Sequence, residues 1–180
     1  MKNKNITPEP ELTRPLRIEK IGANGVEETI IASEQERSAL ATRFSLVELK
    51  KLEAKLNVLP ASGAMNFTVH GRMQAEVVQR CVVTLEPLPT TLEQSIKVHF
   101  AAPELVTADV SERALDEDDM EPITNGIIDL GELVSQHLGL ALDPYPRKAG
   151  LPPVEVAFDK TPVETNPFAK LALLKKKDGE

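Results

Sequence analysis

Leu92, Ile96, Val98 and Phe100 alternate with Glu93, Lys97 and His99, the period of a strand with one buried face. Phe67 and Val69 show the same spacing in a β-rich run from Met65 to Ala75. Between Ser45 and Pro60 two patterns compete. Leu46, Leu49, Leu52 and Leu56 fit one helical face, whereas Leu52, Ala54, Leu56 and Val58 alternate with Glu53, Lys55 and Asn57. A strand over about 51–60 is preferred, because Ala61-Ser62-Gly63 then turns into the next strand. Leu16, Ile18 and Ile21 suggest a first strand, with Asn24-Gly25 as a hairpin turn and Val26 to Ala32 as its partner. Ser33 and Glu36 have capping-box spacing and open a helix to about Arg43. Asp129 and Glu132 repeat that spacing before Leu130, Leu133, Val134, His137, Leu138 and Ala141, one apolar helical face that must dock on a sheet. These elements predict an α+β fold: a mainly antiparallel, twisted, barrel-like β-sheet with two packed helices and flexible termini. The expected organisation is a flexible arm over 1–11, one domain over 12–146 and a Pro-rich tail over 147–180.

Composition narrows the chemistry. Of 180 residues, aromatics make up 3% and Trp is absent, so the core is aliphatic and base-stacking platforms are scarce. The net charge is −7, but unevenly spread. Residues 1–60 carry ten Lys/Arg and nine Asp/Glu, 61–146 four and fourteen, and 147–180 seven and five. An acidic chain gains little from counterion release on nucleic acid, so an RNA contact needs a local basic patch. The stretch between Pro103 and Pro122, with Asp116-Glu117-Asp118-Asp119, reads as a mobile acidic loop. A single Cys excludes an intramolecular disulfide and fits a reducing cytoplasm. No apolar run approaches the ~20 residues of a membrane span, and Met1-Lys2-Asn3-Lys4-Asn5 lacks the apolar stretch of a signal peptide.

Candidate reactive groups are few. P-loop, dinucleotide and His-Glu-x-x-His patterns do not occur. Cys81 with one of His70, His99 or His137 is the one conceivable nucleophile and base, giving a thiol enzyme or redox sensor as the rival reading. His70 and His99 sit in expected strands and His137 on an apolar helix face, so a small buried thiol is favoured. Thr84 follows Cys81-Val82-Val83 where a zinc pair needs a second cysteine. No catalytic residue, metal, cofactor or small-molecule substrate is expected. The acidic loop lacks the spacing of a calcium loop. Phe168, Lys170, Leu171 and Leu174, followed by Lys175, Lys176 and Lys177, form a basic amphipathic segment suited to a partner or to RNA.

Gln79-Arg80-Cys81-Val82-Val83-Thr84-Leu85-Glu86-Pro87 resembles the central signature of the YceD family of bacterial and plastid proteins. Asp129-Leu130-Gly131-Glu132-Leu133 through Asp143-Pro144-Tyr145-Pro146 resembles its C-terminal helix and exit, and Asn166-Pro167-Phe168-Ala169 its closing tail. The resemblance implies a role without defined catalytic residues in 23S ribosomal RNA accumulation and large-subunit biogenesis, with nucleic-acid and metal binding as properties of the family. The cytoplasmic location is expected from the single cysteine and the lack of a membrane span or signal peptide. The implied partner is ribosomal RNA, a large-subunit ribosomal protein or a processing protein. An adaptor without RNA contact is the remaining alternative. Many members carry Cys-x-x-Cys at the signature and some have further cysteines near the C-terminus. This chain keeps only Cys81, so the metal-binding property is not carried over.

Overall fold

The computed structural model describes residues 10–62, 65–103 and 120–152. Its centre is three long strands joined in sequence, β3 (Glu48–Pro60), β4 (Phe67–Arg80) and β5 (Pro87–Ala101). With β2 (Val26–Ile31) and β6 (Met120–Pro122) they form one sheet in the order β2-β3-β4-β5-β6. All pairings are antiparallel except β5 with β6. The architecture is α+β as expected, though the sheet stays open rather than closing into a barrel. Strand periodicity resolves the 45–60 ambiguity: Leu52, Ala54, Leu56 and Val58 are buried while Lys55 and Leu59 face solvent.

The first strand departs from expectation. β1 (Pro15–Arg17) pairs with β7 (Ile127–Asp129) in a separate two-stranded sheet, and β2 pairs with β3. The Asn24-Gly25 signal does make a turn, with Gly25 at φ 76 and its N–H donating to the Gly22 carbonyl at 2.9 Å. That turn links two sheets instead of closing a hairpin. The reason lies on the other side of β1. Arg14 donates its N–H to Asp129 Oδ1 at 2.8 Å, and its carbonyl accepts the Leu130 N–H at 3.1 Å. The chain is thereby held against the start of the last helix. Ile18 then leaves the strand in a short 3-10 turn, Ile18–Lys20.

Helix α1 (Glu34–Arg43) begins with the expected capping box, Ser33 accepting from the Glu36 N–H and Glu36 accepting from the Ser33 N–H. Helix α2 (Leu130–Ala141) is capped by Asp129, which accepts from the Gly131 and Glu132 N–H groups. Glu132 does not complete a second box; its carboxylate binds Arg43 at 2.9 Å, tying α2 to the end of α1. Leu130, Leu133, Val134 and Leu138 of α2 are buried in the same apolar cluster as Leu52, Leu56, Val69, Met73 and Ile96. His137 lies half-buried beside that face, and burial lowers its pKa. These elements all fall in a unit that ends at Lys148. The segments expected to be mobile, namely most of the N-terminal arm, the acidic loop and the tail, lie outside the described residues.

Candidate functional site

The signature around Cys81 forms the turn between β4 and β5. Cys81 donates its N–H to the Glu86 carbonyl at 2.9 Å, and its own carbonyl accepts the Leu85 N–H at 3.0 Å. Leu85 adopts φ 61, a left-handed conformation that non-glycine residues take at some cost. Pro87 then opens β5 opposite Arg80.

The exit after α2 folds back onto this turn. Val82 donates its N–H to the Pro146 carbonyl at 2.9 Å, Gln79 Nε2 donates to the Asp143 carbonyl at 2.8 Å, and Lys148 Nζ meets Glu86 at 2.7 Å. Asp143 accepts from the Tyr145 N–H. Two segments of the signature, 64 residues apart at Gln79 and Asp143, are therefore one clamp. Val82, Val83, Leu85 and Tyr145 stand exposed on it.

Cys81 itself is buried, and its sulfur accepts N–H groups from Thr84 at 3.4 Å and Lys148 at 3.5 Å. Hydrogen bonding to the Thr84 side chain and N–H, joined by the Lys148 and Val83 N–H groups, lowers the thiol pKa to about 6 against the opposing cost of burial. No histidine supports this sulfur as a base among its described contacts. His70 lies eleven residues back along β4, roughly 35 Å at strand rise. A metal centre does not fit either. The groups around the sulfur are N–H donors and a hydroxyl, and the neighbouring Glu86 carboxylate is held by the Lys148 ammonium at 2.7 Å. Among the described residues no three His, Cys, Asp or Glu side chains gather as a metal site.

A second surface was not singled out from the sequence. The outward side of the sheet carries successive cross-strand rows. Thr29, Lys55, Arg72 and Ser95 form one, and Glu27, Asn57, His70 and Lys97 the next. Thr68 and His99 follow at the β5 end. Lys55, Arg72 and Lys97 are exposed there, on a face that also carries Lys51, Glu53, Glu76 and Glu93. The polar phase of the alternation places each of them outward. Their alignment depends on a register that the sequence does not show.

A family model described as Large ribosomal RNA subunit accumulation protein YceD matches residues 69–175. The chain belongs to the YceD family. No curated protein and no solved structure matches it. The match runs from β4 through the Cys81 clamp and α2, so the family's defining segment is the one that builds the turn, the helix cap and the exit. The description ties YceD proteins to accumulation of large-subunit ribosomal RNA. The tail positions Phe168, Lys170, Leu171, Leu174, Lys175, Lys176 and Lys177 lie outside the described residues. No helix among the described residues is long and apolar enough to cross a membrane.

Proposed function

We propose that this YceD protein supports 23S ribosomal RNA accumulation as a cytoplasmic, non-enzymatic factor that binds RNA of the assembling large subunit. The observation that carries this reading is the facing pair Lys55 and Arg72 on the outward side of the β3–β4 pairing, neither of which has a carboxylate partner among the described residues, in a chain whose net charge is −7. An acidic protein avoids indiscriminate binding to polyanions, while a local pair of cations retains attraction for phosphate. The lysine-tipped tail adds a second RNA contact in this reading, and the acidic segment 104–121 faces basic ribosomal protein. Co-sedimentation with precursors of the large subunit tests it. Binding should be lost on RNase treatment, and deleting residues 168–180 should weaken it. Unchanged co-sedimentation of the deletion would remove the tail from the interface.

A second reading, docking to a large-subunit ribosomal or processing protein, is favoured by the exposed apolar side chains of Val82, Val83, Leu85 and Tyr145 on the hydrogen-bonded clamp. Association that survives RNase and is lost on replacing Val83 and Leu85 by Ser would decide for it.

A further inference from the structure

Lys55 and Arg72 are directly opposite each other on β3 and β4. Like charges at facing strand positions repel, which makes the pair unfavourable for the sheet alone. Neither cation has a carboxylate partner among the described residues. The acidic neighbour that could serve, Glu53, is taken by Lys51 at 3.0 Å, and Glu93 accepts from Gln74 at 3.1 Å. The two cations border an open depression of about 450 Å³ that Thr29, Ile31, Glu53 and Gln74 also line. Lys97 lies in the adjacent row of the same face, which also holds Glu27 on β2.

We propose that this depression, with Lys55 and Arg72 at its wall, is the phosphate-binding site through which the outward sheet face holds an RNA strand. The inference rests on the RNA-binding reading above and gives it a location. Charge complementarity selects the occupant. Two facing, solvent-exposed cations outnumber the one carboxylate, Glu53, that shares their depression, and an Arg fork beside a Lys point charge suits phosphate oxygens. Phe, Tyr and Trp are missing from the outward positions of β2 to β5, so the face offers no ring for base stacking. Contacts of this kind position the backbone without reading sequence.

Fluorescence anisotropy of the full chain with a short labelled single-stranded RNA of large-subunit sequence tests the site, titrated at several salt concentrations. Lys55→Gln with Arg72→Gln should weaken binding about 10-fold and reduce the slope of log K against log salt by about 1.4, at about 0.7 per phosphate contact on a single strand. Arg17→Gln with Lys20→Gln removes the same charge from exposed positions elsewhere and should leave affinity within about twofold. The melting temperature of the site variant should stay level or rise, since a repulsion is removed. An equal loss in both double variants would reduce the effect to net charge and overturn the site. Unchanged affinity of the site variant beside firm wild-type binding would overturn the site and leave the RNA reading standing. No RNA binding by the wild type would overturn both. Unchanged RNA affinity with lost association to large-subunit precursors would assign the face to an acidic protein and overturn the proposal.

Discussion

Replacing Asp129 tests whether a residue of the family signature acts through architecture. Its Oδ1 accepts three N–H groups: Gly131 at 2.9 Å, Glu132 at 3.2 Å and Arg14 at 2.8 Å. The first two cap α2, and the third fastens the N-terminal segment to it. Gly131 shows how close that segment lies, since a Cβ there would sit 2.6 Å from the Leu12 carbonyl oxygen. Losing the cap costs about 1 kcal/mol, and an Arg14 N–H left without an acceptor costs about 1–3 kcal/mol more. Asp129→Ala should therefore destabilise the fold by about 2–4 kcal/mol. With a urea m-value near ~2 kcal/mol/M, the unfolding midpoint should drop by about 1–2 M. Asp129→Asn keeps an acceptor and should cost under about 1 kcal/mol. A loss below about 0.5 kcal/mol for the Ala variant would place Asp129 among ordinary surface residues and refute the reasoning.

Three further outcomes follow from the packing and the charges. Gly71→Ala would drive a Cβ into the Lys55 carbonyl oxygen and within 2.9 Å of Leu56 Cα, so it should cost about 3 kcal/mol; an unchanged thermal melt would show that β3 and β4 can separate there. Glu36 is held at a pKa of about 2, chiefly by its hydrogen bond from Arg14, below its ordinary 4.5. A lowered carboxylate pKa stabilises the fold above the unfolded value and ceases to do so as pH falls through the folded one. The advantage of wild type over Glu36→Gln, about 0.5–1 kcal/mol at neutral pH for so exposed a pair, should thus shrink from pH 4.5 to 2; a gap independent of pH would exclude the ion pair as its source. Cys81, buried despite its acidic thiol, should be alkylated at least about a hundredfold more slowly in the native protein than in urea; equal rates would restore a reactive-thiol role.

Local periodicity made most of the fold readable. The alternation at Leu52–Val58 and Leu92–Phe100, the Ser33–Glu36 box and the apolar face from Leu130 to Leu138 each depend on neighbours a few residues away. What stayed hidden depends on distant partners. β1 resembled half of a hairpin because Asn24-Gly25 is a true turn signal, yet Asp129, 115 residues from Arg14, decides where β1 goes. The Cys81 signature was legible as a motif, but the return of Pro146 and Lys148 onto it could not be read from spacing. Lys55 read as an ordinary outward charge, and nothing in the sequence marked Arg72 as its neighbour. Only the register of β3 on β4, unbroken from Lys51 to Pro60, brings them face to face.

Crosslinking the protein to RNA in living cells by ultraviolet light, followed by sequencing of the bound fragments, tests the central claim most directly. RNA binding through the outward sheet face should give strong enrichment of large-subunit ribosomal RNA, and a marked loss of that signal when Lys55 and Arg72 are both replaced by Gln. Recovery of RNA no greater than from an uncrosslinked control, in cells where the protein still accompanies large-subunit precursors, would contradict it.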